Sequence, residues 1–364
     1  MDNSREGKMV YSYCTLFDKN YLDRGLALVE SIRKYNTNSN IYVLAMDDMC
    51  YKILDAICMP KMVLVNLAEI ETEDLLKVKR TRSRGEYCWT CTASLIYFVL
   101  TKYREEYCTY IDADVYFFDD PDQLVDEMIQ EGKSVQIIEH RFRNGFAGRV
   151  QEELSGRFCV EFNTFKNDEF GIKVLDTWRK QTIEKCSFSD GEKHFGDQMY
   201  LEDWLEKYDC VNVLQNLGAG LGPWNVNRYR LLKKRLGEEF WVTYDKGTIP
   251  IKVIFFHYHD LQYITKEKVN INIHKRYWKL NMELTYILYR EYIKKLQEKK
   301  EWLEKTYGFY PLVPEDAVTV IHEAKLWERF KRLLTGNIYR NIRFRIENHL
   351  KIFIFGKYDI MNIE

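Results

Sequence analysis

Two carboxylates that lie two residues apart, Asp112 and Asp114, separate an apolar run from an aromatic one in residues 110–121. In a regular strand, residues i and i+2 share a face, so both carboxylates would converge on one ligand where the strand ends. Hard oxygen ligands of this kind suit Mg²⁺ or Mn²⁺, held partly by the protein and partly by a substrate diphosphate. Because many strand ends carry paired aspartates for turn geometry alone, the pair predicts a metal site only together with other signals.

The spacing of apolar residues predicts that strands and helices alternate along the first third of the chain. Strands are predicted at residues 9–15, 41–46, 62–65 and 107–116, and helices at residues 21–34, 50–57 and 84–102. This alternation favours an α/β fold with a parallel sheet, whose ligands gather at the carboxyl ends of the strands. The residues at those ends are Thr15, Asp47, Asp48, Asp112 and Asp114. Their convergence strengthens the prediction of a metal and nucleotide site.

Composition narrows the classes of protein to consider. The 364 residues carry a net charge of −1, so no nucleic-acid partner is expected. No apolar run is long enough to span a membrane, and residues 1–8 lack the apolar core of a signal peptide. Nine cysteines, an odd number, indicate reduced thiols. These features together predict a cytoplasmic protein.

Residues 14–33 resemble the opening of glycosyltransferase family 8, the family of glycogenin and the bacterial lipopolysaccharide galactosyltransferases. The family pattern is a strand ending in Thr-Leu, a short loop, a glycine, an apolar helix and a serine, matched here by Thr15, Leu16, Gly25 and Ser31. An Asp-x-Asp after an apolar strand is also typical of metal-dependent sugar-nucleotide transferases.

The resemblance covers roughly residues 9–265 and implies a GT-A fold. That fold is a Rossmann-like mixed sheet with helices on both faces, and it would form a catalytic domain over residues 1–265. The nucleotide-sugar half would occupy about residues 1–120 and the acceptor half about residues 121–265. Residues 266–364 would then be a helical C-terminal extension, with one long charged helix at residues 286–306.

Two later landmarks resemble the same family. Gly-Asp-Gln at residues 196–198 resembles the family sequence in which, by that resemblance, Asp197 and Gln198 face the reacting sugar. The alternative is that Asp197 caps a helix beginning there. Pro-Trp-Asn at residues 223–225 resembles a turn near the acceptor side, and its alternative is a proline-led turn with a core tryptophan.

An apolar strand predicted at residues 253–260 ends in a His-x-His sequence. His257 aligns with the histidine that completes the metal site in the family, so the resemblance implies Asp112, Asp114 and His257 as ligands. Because side chains alternate with a period of two, His259 would lie on the same face and could substitute for His257.

The resemblance also implies the substrates. The donor would be a nucleotide diphosphosugar, with a UDP-sugar as the expected form, used together with Mn²⁺ or Mg²⁺. The acceptor would be a glycan or a lipid-linked saccharide, and the reaction a metal-dependent transfer, of hexosyltransferase type, with retention. The residues expected at the donor are Thr15, Leu16, Asp47, Arg82, Asp112 and Ala113.

The sequence departs from the family at three places. The lysine that reaches the diphosphate from the helix before the Asp pair is absent, and Lys79, Arg82 or Arg84 could supply its charge. The small residues of an Asn-Ala-Gly strand are replaced in residues 158–165. The terminal Lys-Pro-Trp has only a distant counterpart at residues 275–278.

Other functions fit parts of the sequence. Residues 110–115 also match the motif of haloacid-dehalogenase phosphatases, in which Asp112 would be the nucleophile, although that motif normally lies on the first core strand. A non-catalytic nucleotide-sugar-binding protein of the same fold is a further alternative. Cys88 and Cys91 form a CxxC without a partner pair, within a predicted helix, so a zinc or redox site is not favoured.

The C-terminal segment at residues 325–357 is basic, with interleaved aromatic and aliphatic residues. Such a segment suggests docking on an anionic membrane surface, where a lipid-linked acceptor would lie. The alternative is a helical extension that packs on the catalytic domain and exposes a basic face to water.

Overall fold

A computed structural model describes residues 9–187, 196–234, 239–273, 282–311 and 359–362. The predictions for residues 275–278 and 325–357 fall outside the described residues. Within the described ranges, no helix has both the length and the apolar character required to cross a bilayer.

The strands, in chain order, are β1 (Ser12–Phe17), β2 (Ile41–Ala45), β3 (Met62–Asn66), β4 (Tyr107–Ile111), β5 (Val115–Phe117), β6 (Val135–Glu139), β7 (Phe158–Lys166), β8 (Val211–Val213), β9 (Tyr229–Lys234), β10 (Phe240–Tyr244), β11 (Ile251–Lys252), β12 (Phe255–His257), β13 (Gln262–Thr265), β14 (Lys268–Asn270) and β15 (Ile360–Asn362).

The α-helices are α1 (Leu22–Tyr35), α2 (Asp48–Ile57), α3 (Leu67–Ile70), α4 (Glu73–Lys79), α5 (Arg84–Lys102), α6 (Asp122–Gln130), α7 (Phe146–Ser155), α8 (Glu169–Glu184), α9 (Trp204–Lys207) and α10 (Met282–Tyr307). Short 3₁₀ helices lie at Lys19–Tyr21, Gln198–Asp203 and Val226–Arg228.

The central sheet has seven strands in the order β3-β2-β1-β4-β7-β6-β8. The pairs β2–β3, β1–β2, β1–β4 and β6–β8 are parallel, whereas β7 runs antiparallel to both β4 and β6. The sheet is therefore mixed, and the α/β class predicted from the sequence is confirmed. Near-continuous apolar strands such as β2 form because both faces of the sheet are covered.

Helices cover both faces of this sheet. Along β2, Ile41 and Val43 belong to a core shared with helices α1, α2 and α6, while Tyr42 and Leu44 belong to a second core shared with α5 and α8. Alternation of side chains along a strand explains this division. The sheet thus holds the carboxyl ends of β1, β2 and β4 along one edge.

The strand predicted at residues 107–116 is divided in two, so one part of the sequence interpretation was wrong. Strand β4 ends at Ile111, and β5 starts at Val115 in a separate two-stranded sheet with β12. Between them the chain turns, and the amide of Val115 donates to the carbonyl of Asp112 at 3.1 Å. Asp112 and Asp114 therefore converge through a turn rather than along one face of a regular strand.

Two residues of the N-terminal motif have structural roles in this arrangement. A Cβ on Gly25 would lie 2.2 Å from the ring of Phe17, so only glycine allows α1 to pack this closely on β1. The Ser31 hydroxyl donates to the carbonyl of Leu28 at 2.7 Å and accepts from the amide of Phe117 at 3.1 Å. The motif thus fixes α1 against both β1 and β5.

The long helix predicted near the C-terminus is confirmed as α10, which packs against α1. It shares a third core with β9, β10, β12 and β13. Strand β15, near the end of the chain, pairs with β14, which pairs with β13. The boundary predicted after residue 265 falls in the turn between β13 and β14, and the division into domains stays a prediction.

Candidate functional site

Asp112, Asp114 and His257 come together at the carboxyl end of β4, and we call these residues the cavity cluster. Their potential ligand atoms all lie within 4.8 Å of one another. Nε2 of His257 lies 3.0 Å from Oδ1 of Asp114 and 3.8 Å from Oδ2 of Asp112. The carboxylate of Asp112 also accepts from the Tyr110 hydroxyl at 3.0 Å, which orients it toward the histidine.

Strand pairing positions the histidine of the cavity cluster. In the two-stranded sheet, His257 of β12 lies opposite Val115 of β5, and the next amide, that of Tyr258, donates to the carbonyl of Asp114 at 2.9 Å. On its other side, the amide of His257 donates to the carbonyl of Leu221 at 2.8 Å. Residues 143 positions apart in sequence are therefore held in contact by backbone hydrogen bonds.

The other ring nitrogen of His257 contacts a residue that the sequence analysis did not identify as part of the site. Nδ1 lies 2.6 Å from Oε2 of Glu161, which is fully buried on β7. The sequence did carry a signal, because an acidic residue in the middle of an apolar central strand is uncommon. In the sequence, Glu161 stands out only as part of the departure from the family strand in residues 158–165. Cys159, two residues earlier, lies near the same imidazole.

The cavity cluster and its surroundings shift the pKa values of its members. Burial and the charge of Asp114 raise the pKa of Asp112 to about 6, against the opposing effect of His257. Burial opposes ionisation of Asp114 as well, but the imidazole of His257 holds its pKa below the usual range. The same contact raises the pKa of His257 well above its ordinary value despite burial. Without a metal, the imidazole thus serves as the counter-charge of the aspartates.

The cavity cluster lies at the edge of a cavity of about 460 Å³. The side chain of Asp112 is 32% exposed and that of Asp114 is 14% exposed, whereas that of His257 is only 4% exposed. The cavity has aromatic, apolar and charged walls, and its lining residues include Leu16, Phe17, Asp18, Tyr21, Arg84, Trp89, Tyr110, Ala113 and His259. A volume of this size suits a ligand as large as a nucleotide.

Arg84, at the first turn of α5, lines the cavity and carries its positive charge. Its guanidinium pairs with Asp18, and it also lies 2.8 Å from Oδ2 of Asp47. Asp47 in turn caps α2 by accepting from the amide of Cys50 at 2.9 Å. Asp47 thus contacts Arg84 but lines a neighbouring cavity, and its predicted role at the donor stays a prediction.

Arg82, which the sequence analysis placed at the donor, has different contacts. Its guanidinium donates to the carbonyls of Thr182 and Ile183 at the C-terminal end of α8. These carbonyls lack partners within their helix, so they bind the arginine instead. These contacts hold Arg82 against α8, whereas Arg84 lines the cavity, and a role for either arginine at the donor stays a prediction. Thr15, also expected at the donor, is only 1% exposed and is not among the residues that line the cavity.

Asp197 is buried close to the cavity cluster. Burial and the nearby charge of Asp112 raise the pKa of Asp197 to about 8. Asp197 does not cap the 3₁₀ helix that follows it through its side chain, and its Oδ2 atom has no hydrogen-bond partner among the described residues. The capping alternative is therefore not supported. Gln198, its neighbour, donates to the carbonyl of Ser155.

His259 lies beside the cavity cluster rather than within it. Its ring centroid is 5.6 Å from that of His257, and the two rings are nearly perpendicular. Strand β12 ends at His257, so the period-two argument that placed both histidines on one face does not apply. Trp224 packs edge-on against both rings, at 5.2 Å from His257 and 6.0 Å from His259. Trp224 of the Pro-Trp-Asn turn thus packs against both histidine rings.

The chemistry of the cavity cluster fits a divalent ion. Two carboxylates and one imidazole are a donor set suited to Mn²⁺ or Mg²⁺. Ligand atoms at about 2.1 Å from an ion and at right angles are about 3 Å apart, close to the separation of His257 and Asp114. The cluster also opens onto the cavity, which leaves room for oxygens of water or of a substrate.

Comparisons with known proteins find similar sequences and similar solved structures. No protein-family model matches the sequence. Similar proteins include YfnD of Bacillus subtilis (strain 168), which is 27% identical over 325 residues, covering 87% of this chain and 99% of YfnD. YfnF of the same strain is 28% identical over 307 residues, covering 82% of this chain and 97% of YfnF. Both are described as uncharacterized proteins.

Solved structures similar to this chain include mouse xyloside xylosyltransferase 1, at 12% identity and a TM-score of 0.43, covering 69% of this chain and 98% of that chain. Another is the galactosyltransferase LgtC in complex with donor and acceptor sugar analogues, at 12% identity and a TM-score of 0.44, covering 68% of this chain and 87% of that chain. Both are glycosyltransferases by name. Membership of this chain in family 8 stays a prediction.

Proposed function

We propose that this protein is a metal-dependent glycosyltransferase of GT-A fold. It would transfer a sugar from a nucleotide diphosphosugar, with a UDP-sugar as the expected donor, to a glycan or lipid-linked acceptor. The observation that supports this proposal best is the convergence of Asp112, Asp114 and His257, from distant parts of the chain, beside a cavity of about 460 Å³. Two carboxylates at such a position require a positive partner, and a divalent metal ion, which can also bind the oxygens of a diphosphate, supplies one.

Each part of the cavity would have its own role. Asp112, Asp114 and His257 would hold Mn²⁺ or Mg²⁺, which when bound stabilises the charge of the diphosphate leaving group. Arg84 would add a second positive charge at the rim, exchanging its contacts with Asp18 and Asp47 for phosphate oxygens. Tyr21 and Trp89 would provide apolar contact area for the nucleoside.

Asp197 and Gln198 would face the sugar that is transferred. Asp197 is buried near Asp112 with one carboxylate oxygen free of hydrogen bonds among the described residues, so it has capacity to bind a sugar hydroxyl. Holding the sugar in one orientation would lower the barrier to its transfer. We propose retention of configuration and transfer of a hexosyl group on the basis of the sequence resemblance.

Contacts at the second pair of aspartates argue against the phosphatase alternative. A phosphatase using Asp112 as nucleophile needs a separate acidic motif for its metal. Asp119 instead lies 3.0 Å from Nζ of Lys252, and Asp120 accepts from the amide of Asp122 at 3.0 Å. Both carboxylates are therefore engaged at the far end of β5, away from the cavity cluster.

A screen of nucleotide sugars tests the proposal. We expect at least one donor to release its nucleotide in the presence of Mn²⁺, and we expect chelation to stop that release. Tight binding of a donor without turnover, with or without added saccharide acceptors, would indicate a binding protein instead. Hydrolysis of phosphate monoesters that depends on Asp112 would restore the phosphatase reading.

A further inference from the structure

Glu161 is buried at the side of His257 that faces away from the aspartates. Its exposed fraction is 0%, its Oε2 lies 2.6 Å from Nδ1 of His257, and its Oε1 has no hydrogen-bond partner among the described residues. The distance is that of a hydrogen bond, and when Glu161 is ionised its carboxylate can only accept, which places the proton on Nδ1. A hydrogen on Nδ1 leaves Nε2 as the nitrogen whose lone pair can bind a metal.

We propose that Glu161 is a positioning residue that prepares His257 to bind the metal ion. The inference rests on the proposed function, because it assigns a second carboxylate partner to the metal ligand of that site. Glu161 would fix the tautomer and the ring orientation of His257, and it would increase the basicity of Nε2. The imidazole of His257 is then held by three contacts: Glu161 at Nδ1, the edge-on ring of Trp224, and the aspartates at Nε2.

A competing reading is that Cys159, Glu161 and His257 form a metal site of their own, since their ligand atoms also lie within 4.8 Å of one another. The distance between Glu161 and Nδ1 argues against it. Two atoms bound to one ion at about 2.1 Å, in tetrahedral or octahedral geometry, lie about 3 Å or more apart. The separation of 2.6 Å is instead that of a short hydrogen bond to a charged acceptor.

The location of Glu161 on a buried strand indicates that its contact with His257 has a specific role. Strand β7 is an interior strand of the sheet, and Val160 and Phe162 beside Glu161 are buried and apolar, so an unpaired carboxylate there would cost several kcal/mol. The imidazole is the polar partner that offsets this cost. A leucine would fill a similar space without that cost, so packing alone would favour an apolar residue at this position.

Binding of Mn²⁺, measured by the electron paramagnetic resonance signal of the free ion, tests the proposal on the full-length protein. We expect Glu161→Leu to weaken Mn²⁺ binding by about 10- to 100-fold. Glu161→Gln should lose less, because the amide oxygen still accepts from Nδ1. The control is Thr164→Val on the same strand, which removes a buried hydrogen bond to Thr109 of 2.8 Å and should leave Mn²⁺ binding unchanged.

A second measurement needs no substitution and therefore applies even if Glu161→Leu does not fold. In the Mg²⁺-saturated wild-type protein, nitrogen NMR of labelled histidines should show His257 protonated at Nδ1 and unprotonated at Nε2. A His257 that lacks the proton on Nδ1 would overturn the inference, and so would variants that bind Mn²⁺ as tightly as the wild type. If the wild type itself binds no Mn²⁺, both this inference and the proposed metal-dependent function fail.

Discussion

Two groups of buried charged residues in this protein differ in their access to solvent. The cavity cluster, Asp112, Asp114 and His257, opens onto a cavity. A second group, which we call the helix cluster, consists of Asp23 on α1, Tyr263 on β13 and Lys300 on α10. In the helix cluster, Nζ of Lys300 lies over the ring of Tyr263 and 4.0 Å from Oδ2 of Asp23, which also accepts from the Tyr263 hydroxyl. Both charged side chains there are fully buried.

The difference between these clusters lies in their charge balance and in their access to solvent. The helix cluster has one acid, Asp23, beside Lys300, and the guanidinium of Arg24 lies 5.3 Å from the centroid of the Tyr263 ring, so negative charge is not in excess there. The cavity cluster has two carboxylates and one imidazole, and the carboxylate of Glu161 lies on the other side of that imidazole. The two aspartates are partly exposed. An excess of negative charge beside a cavity is suited to binding a cation. A buried group without that excess, such as the helix cluster, instead holds α1 and α10 together. Burial of charge by itself therefore does not distinguish a functional site.

The largest effect expected from this comparison is on catalysis. Asp112→Asn or Asp114→Asn should lower the rate of sugar transfer by about 10³-fold, because the metal loses a charged ligand. The fold should persist, since both residues lie in a turn at the cavity. Asp119→Asn is the matched control, because it removes an aspartate from the same segment and its partner is Lys252. Turnover numbers with a saturating donor check this prediction, and normal turnover of both variants would remove the metal assignment.

A smaller effect should separate the two histidines. His257→Ala should weaken Mn²⁺ binding by about 10- to 100-fold, because Nε2 of His257 faces both aspartates. His259→Ala should change it much less, since the ring of His259 lies beside that of His257. Titration calorimetry with Mn²⁺ measures both constants. The reverse order would mean that His259 is the ligand and that His257 only supports it.

The smallest effect concerns the helix cluster and the pH dependence of stability. Burial lowers the pKa of Lys300 to about 7, below its value of about 10.4 in an unfolded chain. Between these values the unfolded state holds a proton that the folded state lacks, so raising the pH favours folding. Lys300→Met removes this dependence. Its free energy of unfolding relative to wild type should therefore fall by about 2 kcal/mol between pH 6 and pH 9.

Urea denaturation at pH 6 and pH 9 measures that change. Lys299→Met is the control. Lys299 is the neighbouring lysine on α10, and its ammonium pairs with Glu30 of α1 near the protein surface. Equal pH dependence in Lys300→Met and in wild type would show that the buried lysine is not the titrating group. Sugar transfer at pH 7 should be nearly normal in Lys300→Met, since the helix cluster lies outside the cavity.

Local sequence determined most of the elements and the identity of the metal-binding candidates. Apolar periodicity and a serine cap suffice to specify α5 at Arg84–Lys102, because both signals act within a few residues. The free state of all nine cysteines was likewise expected from their number. Asp112, Asp114 and His257 were found from short motifs, because each motif lies at the end of an apolar segment.

Only the tertiary structure decided which residues meet. It ended β4 at Ile111, because Val115 pairs with β12 rather than continuing the central sheet. It turned Arg82 toward the end of α8 and left Arg84 in the cavity. It also brought Glu161 to His257 across 96 positions of sequence. Such contacts depend on how β4, β5, β7 and β12 pair, and the periodicity of a single segment contains no information about its distant partners.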